Sequence, residues 1–226
     1  MEIKKIATIY TDFPEKFGVP RQSGLADTKG RIVFEKEYRN PDFVRGLKEF
    51  SHIWLVWGFS KNKEREMTPT VRPPRLGGNT RLGVFATRSP YRPNALGLSS
   101  VKLTDIDFTS ADAPVIYVEG ADTVSGTPIY DIKPYLSFTD SHTDAVCGFA
   151  ENTKDYSIKC EISEEIKESF PKEFLGILKN VLENDPRPSY HDDKDRVYKM
   201  DFAGYAVEFK SDKNTIYVKN IRDAKD

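Results

Sequence analysis

Apolar positions along this chain of 226 residues recur with two different periods, and the change of period divides it near residue 140. Before that point the pattern is that of strands. Residues 3–10 alternate roughly between apolar and polar, with Ile3, Ile6 and Ile9 apolar, and residues 31–38 have the same look. Residues 53–59 (IWLVWGF) form a continuous apolar run, short enough for a strand buried on both faces. Residues 101–108 and 115–118 complete a series of short strands separated by Gly, Pro, Asn and Asp. Only residues 42–50 read as a helix here, with Phe43, Leu47 and Phe50 on one face. Many short strands with few helices predict a mainly β unit, an antiparallel sandwich or barrel.

The last third changes character. Ser163, with Glu164 and Glu165 behind it, is an N-cap signal with acids in the first turn. Ile162, Ile166 and Phe170 share a face. Pro171 ends that helix and opens another, whose stripe is Phe174, Ile177, Leu178 and Val181. This acidic amphipathic stretch is expected to pack on the barrel with its charged side in water. Beyond it Tyr198, Met200 and Phe202 alternate, as do Tyr205, Val207 and Phe209, and a turn at 211–214 leads into a strand at 215–219. The expected organisation is an antiparallel β-barrel over residues 1–140 followed by a small α+β domain over 141–226.

Composition narrows the function classes. Lys and Arg number 34 against 35 Asp and Glu, a net charge of −1, and 12% aromatic residues suffice for a real core. No stretch approaches the roughly 18–20 apolar residues that span a bilayer, and the N-terminus has no apolar signal region, so a cytoplasmic protein without a membrane partner is expected. Cys147 and Cys160 form no CxxC pair and read as small buried or half-buried side chains. His52, His142 and His191 are scattered, so no metal site is expected, and His52 reads as a core-edge histidine. The HExxH, GxSxG, Walker and GxGxxG signatures are lacking, which weakens classical hydrolase, P-loop and dinucleotide-binding readings.

Charge is unevenly placed. Residues 67–102 hold Arg72, Arg75, Arg81, Arg88, Arg92 and Lys102 and no Asp or Glu, which implies a local field facing an anionic partner. The same segment is dense in Pro and Gly, which fix an extended loop in one shape. Further on, a Ser-Gly-Thr-Pro turn (125–128) precedes a strand-like 129–132. Its backbone N–H groups and hydroxyl suit either a polar ligand edge or an ordinary hairpin. The loop DPRPSY (185–190) stiffens Arg187 and Tyr190 after the second helix.

Taken in order, EKFGVPRQSGL (15–25), VRGL (44–47), FSHIW (50–54), TVRPPRLGGN (70–79), GVFATRSPYRPNALGL (83–98) and GTPIYDIKPY (126–135) resemble the TsaA-like family, the TrmO tRNA methyltransferases. DPRPSY and the strand at 198–202 resemble the family's C-terminal domain. The resemblance implies an S-adenosylmethionine-dependent methyltransferase on a β-barrel. Such enzymes methylate N6 of N6-threonylcarbamoyladenosine beside the anticodon of tRNA, and they form homodimers with the cofactor near the subunit interface.

Carried over residue by residue, the resemblance implies cofactor contacts at Pro20, Arg21 and Gln22, at Ser60 and Lys61, at Arg88 and Leu98, and at Ser125, Gly126, Thr127 and Pro128. Ser125 stands where the family often has Asp, and Ser60-Lys61 where His-Gln is expected. An arginine offers a bidentate grip on the methionine carboxylate, and turn amides can read the adenine edge. Arg72, Arg75, Arg92 and Lys133 would neutralise tRNA phosphates, Tyr91 would stack on an anticodon-loop base, and Arg187 and Tyr190 would extend that surface. The acceptor nitrogen must lose its proton, and Asp131 and Tyr130 are the candidates for a base, Asp131 being equally suited to pairing with a nearby arginine. Two other readings remain open: a non-enzymatic RNA-binding barrel, and a methyltransferase of the same family acting on a different anionic substrate.

Overall fold

Alternation of buried and exposed positions builds the first unit. The computed structural model describes residues 2–61, 68–77, 79–154, 156–187 and 193–225. In it β1 (Ala7–Thr11) buries Ala7 and Ile9, β2 (Lys29–Phe34) buries Ile32 and Phe34, and β3 (His52–Gly58) buries Ile53, Leu55 and Trp57. Among the described residues, β4 (Thr70–Val71) and β5 (Leu82–Gly83) pair only with each other. β6 (Leu96–Asp107), β7 (Val115–Glu119) and β8 (Thr127–Pro134) complete the wall. The order β1-β2-β7-β6-β3-β8 closes into a barrel whose neighbours are all antiparallel, so no strand edge in the ring is left unpaired. The short α1 (Ser137–Asp140) follows, with the Asp140 carboxylate accepting from the Trp54 indole at 2.8 Å.

Several local expectations need correction. Residues 42–50 are not one helix: Pro41–Val44 and Leu47–Glu49 are separate 3-10 turns divided by Gly46 at φ +80°, a conformation that stops a right-handed helix. Val44 is buried there, while Phe43 is 65% exposed. Ile3 lies outside β1, the chain at Lys36–Tyr38 is a 3-10 turn, and β6 already starts at Leu96. His52 is exposed at the start of its strand, with its Nδ1 2.9 Å from Ser51 Oγ. Cys147 is exposed. Cys160 is half-buried, and burial pushes its thiol up to about 12, which leaves it unreactive.

The second unit comprises β9 (Lys159–Glu161), α2 (Glu164–Ser169), α3 (Lys172–Glu183), β10 (Tyr198–Phe202), β11 (Tyr205–Asp212) and β12 (Thr215–Asp223). Its sheet runs β10-β11-β12-β9, with β9 parallel to β12. Ser163 caps α2 by accepting from the Ile166 amide. Ile177, Leu178, Val181 and Leu182 of α3 share a core with Tyr198, Met200, Phe202, Val207 and Phe209. The buried stripe of the helix therefore covers the second sheet, because the apolar face of that sheet needs a lid of its own, while Glu173 and Phe174 at its start reach Lys29 of β2. Phe13 and Ala26, from the loop between β1 and β2, belong to this core as well, with Phe17 and Val19 packed against it.

Candidate functional site

β8 carries one residue more than β3 near the end of their ladder. Val56 faces Asp131 and Trp57 faces Ile129, which leaves Tyr130 as a bulge. The Tyr130 ring rests on Gly58 so closely that a methyl group there would lie 2.7 Å from it, so the glycine makes room for the phenol. Tyr130 then lines a groove of about 430 Å³ together with Ser60, Pro128, Phe59 and Leu96. Small-molecule sites run from roughly 300 to 1,000 Å³.

Behind the groove lies a connected polar path. The Phe59 ring meets Trp57 edge-on, with centroids 4.4 Å apart. The Trp57 indole donates to Ser99 Oγ at 2.9 Å, and the Ser99 hydroxyl donates to Asp122 Oδ1 at 2.6 Å. Burial raises Asp122 above the ordinary carboxylate range, against the pull of the Ser99 hydrogen bond and the positive charge of Arg88. The Arg88 guanidinium in turn donates to Gln22 Oε1. The hydrogen bonds thus run from Trp57 to Asp122, and the charge of Arg88 acts on that carboxylate through space; Arg88 and Gln22 were both expected from the sequence to hold the cofactor.

The 125–128 turn is bound in from several sides. The amide of Ser125 donates to the Phe13 carbonyl at 2.7 Å, that of Gly126 to Ile9 at 2.9 Å and that of Thr127 to Val124 at 3.2 Å, while Ser125 Oγ accepts from the Thr11 amide at 3.3 Å. Gly126 sits at φ +85°, where a side chain would be strained. These amides knit β8 to the β1 end of the barrel, so they do not face an adenine edge as the sequence suggested. The turn's contribution to the groove is Pro128.

The remaining expected contacts are dispersed. Pro20 is buried, and Arg21 Nη2 donates to the carbonyls of Arg187 at 2.9 Å and Asp185 at 3.3 Å. Lys61 donates to the Pro14 carbonyl, and Leu98 is exposed. Asp131 pairs with Lys133 at 2.9 Å, and neither lines the groove with Tyr130.

On the basic segment Arg72 is exposed and Tyr91 half-buried, its amide donating to Ser89 Oγ. Arg92 Nη1 donates to the Thr87 carbonyl at 3.0 Å, and its guanidinium lies 5.9 Å from the Phe85 ring. Phe85 is 75% exposed on a 3-10 turn pinned by buried Val84. Arg187 is buried and paired with Asp185 rather than open to solvent. The Arg75 side chain and Tyr190 lie outside the described residues. Trp57, Ser99, Asp122 and Phe85 were not among the sequence candidates. Phe85 had one signal, an aromatic within a segment free of acids, whereas Ser99 and Asp122 meet only through the fold. Among the described residues no three side chains could hold a metal ion, and no helix is long and apolar enough to cross a membrane.

Residues 8–141 match the family tRNA-methyltransferase O N-terminal domain, and residues 154–224 match the TrmO C-terminal domain. The chain is 39% identical over 197 residues to the tRNA (adenine(37)-N6)-methyltransferase of Escherichia coli (strain K12), an overlap of 84% of this chain and 83% of that protein. A Pseudomonas aeruginosa relative named for S-adenosylmethionine-dependent methyltransferase activity is 35% identical over 196 residues, covering 83% of this chain and 82% of its own. The crystal structure of TrmO from P. aeruginosa superposes with a TM-score of 0.81 at 27% identity, over 99% of this chain and 97% of that one.

Proposed function

This chain belongs to the tRNA-methyltransferase O family, and on that premise we propose that it methylates N6 of N6-threonylcarbamoyladenosine beside the anticodon of tRNA, with S-adenosylmethionine as methyl donor. It acts in the cytoplasm as a homodimer. The observation that carries the reading is the junction at Trp57, which joins an aromatic groove to a hydrogen-bonded relay whose end, the Asp122 carboxylate, lies in the field of Arg88.

The donor set fits the cofactor. Arg88 and Gln22 would hold its carboxylate, the guanidinium offering a two-pronged grip. Phe59, Leu96, Pro128 and Tyr130 would take its planar base against apolar surface, with Ser60 at the rim. When bound, S-adenosylmethionine supplies an electrophilic methyl group on a positively charged sulfur.

The rest of the task falls to the protein's own side chains and is mostly positioning. The acceptor nitrogen, conjugated to a purine and a carbamoyl group, needs its proton removed. Tyr130, held in the groove by its bulge, is the group that orients this nitrogen and, in its phenolate form, takes up that proton as the nitrogen gains the methyl group. Asp131 is already paired with Lys133 and takes no part in the groove. Arg72 and Arg75 supply charge to tRNA phosphates, Arg92 lies over the exposed Phe85, and a base can stack on Phe85 or Tyr91.

The test is calorimetric titration with S-adenosylmethionine on protein freed of co-purified cofactor, followed by methylation of tRNA with and without the threonylcarbamoyl group. Saturable binding with methylation of the modified tRNA alone is the expected result. A folded protein that binds no S-adenosylmethionine, with or without tRNA, would overturn the reading.

A further inference from the structure

The loop that bears Pro20, Arg21 and Gln22 is held by the second domain at three places. Before the turn, Phe17 stacks on Phe209 with centroids 6.2 Å apart and planes 3° from parallel. Gly18, at φ +96°, lies so close to Met200 that a methyl group on it would meet the sulfur at 3.1 Å. After the turn, Asn184 at the C-terminal end of α3 donates through Nδ2 to the Leu25 carbonyl at 3.0 Å. At the turn itself, Arg21 donates to the carbonyls of Arg187 and Asp185.

The receiving loop is rigidly built. The Asp185 carboxylate accepts from Arg187 Nε at 2.7 Å and Nη2 at 3.0 Å, and from the Tyr156 hydroxyl at 2.9 Å. Asp185 itself holds φ +50°, a left-handed conformation that aspartate tolerates better than most residues. The paired side chains are only 10% and 7% exposed. Burial works against the Arg187 charge, yet the pairing with Asp185 outweighs it and the guanidinium is held above its ordinary value. A buried ion pair adds little net stability, but it is expensive to break and it fixes direction. Here the direction fixed is that of two backbone carbonyls.

We infer that the Asp185–Arg187 pair is a positioning element for the cofactor turn: it aims the carbonyls of residues 185 and 187 at Arg21, and so sets the place from which Gln22 meets Arg88. The inference rests on the cofactor reading above. It gives the second domain a part in cofactor binding. It also turns Arg187 inward, away from RNA phosphates, and assigns the Arg21 side chain to the second domain, leaving the cofactor carboxylate to Arg88 and Gln22.

The experiment uses the full chain and measures S-adenosylmethionine affinity by calorimetry, tRNA affinity alongside it, and hydrogen exchange at amides 21–24. Asp185→Asn is expected to weaken S-adenosylmethionine binding about tenfold and Tyr156→Phe by about threefold, with tRNA affinity little changed. Exchange at 21–24 speeds up while the barrel strands keep their protection. Because all these substitutions act on one contact, adding Arg21→Ala to Asp185→Asn brings no further loss. Arg21→Lys, which can still donate to a carbonyl, binds more tightly than Arg21→Ala. If Asp185→Asn fails to fold, Tyr156→Phe and the Arg21 pair decide the matter by the same readouts. Cofactor affinity and exchange at 21–24 both unchanged, or losses that simply add, would overturn the inference while leaving the cofactor site standing. Wild-type protein that binds no S-adenosylmethionine overturns the cofactor reading and takes this inference with it.

Discussion

The Trp57 indole lies against Gly97, its register partner across β3 and β6, so closely that a methyl group built on Gly97 would come within 2.3 Å of the ring. The absence of a side chain at Gly97 is what lets Trp57 reach Ser99 on one side and Phe59 on the other. Gly97→Ala is therefore expected to displace the indole, destabilise the barrel by ~1–3 kcal/mol and weaken S-adenosylmethionine binding. Denaturant unfolding and calorimetry measure both. A variant with wild-type stability and affinity would show that the junction tolerates movement.

Asp122 gives the relay a pH signature. Burial is the main cause of its raised value, with Ser99 and Arg88 pulling the other way. A carboxyl raised in the folded state binds more protons there than in the unfolded chain. Its contribution to stability is thus complete below the ordinary 3.8 and is lost as pH rises through the folded value. Asp122→Asn lacks that loss. Urea midpoints followed upward from pH 3.8 should fall in wild type relative to the variant, and parallel curves would show that Asp122 titrates normally.

Tyr130 and Asp131 adjoin in sequence and part company in space, the first lining the groove and the second bonded to Lys133. Tyr130→Phe should lower the methylation rate by on the order of 10²-fold with S-adenosylmethionine affinity kept, whereas Asp131→Asn should cost less than about threefold. Single-turnover assays at saturating cofactor and tRNA separate the two. A larger loss in Asp131→Asn would move the base to that residue.

Arg72 sits exposed in the stretch free of acids. Arg72→Ala should weaken tRNA binding and reduce the slope of log affinity against log salt by about one, with S-adenosylmethionine affinity untouched. An unchanged slope would take Arg72 off the RNA surface.

Phe13 is fully buried in the core of the second domain although it follows β1 of the first. Its replacement by Ala should cost ~3–5 kcal/mol and disorder the second domain first. By the same reasoning a fragment of residues 141–226, expressed alone, should lack a cooperative unfolding transition. A sharp thermal transition in that fragment would show that Phe13 fills no essential place.

Much of the molecule was legible in one dimension. Period-two alternation marked β1 and β2 and a short apolar run marked β3, because strand residues must face a core, and the stripe from Ile177 to Val181 marked α3 for the same reason. Ser163 announced its helix because its capping bond is local. The uneven placement of charge, and the stretches from EKFGVPRQSGL to DPRPSY, were likewise present in the residues alone.

Other features depend on what the chain meets far away. Residues 42–50 have helical spacing, but Gly46 and contacts with the barrel break them into two turns. β9 is too short to show any period and is a strand only because β12 lies beside it. The amides of the 125–128 turn look available in sequence, yet Phe13 and Ile9 take them when the barrel closes. The sequence set Arg21 on the cofactor and Arg187 on the tRNA surface, and only tertiary packing sets one against the carbonyls that the other's buried ion pair holds in place. Local patterning fixes which faces are buried, because it repeats every few residues. Which polar group meets which is decided by distant segments brought together, and no short-range period encodes that.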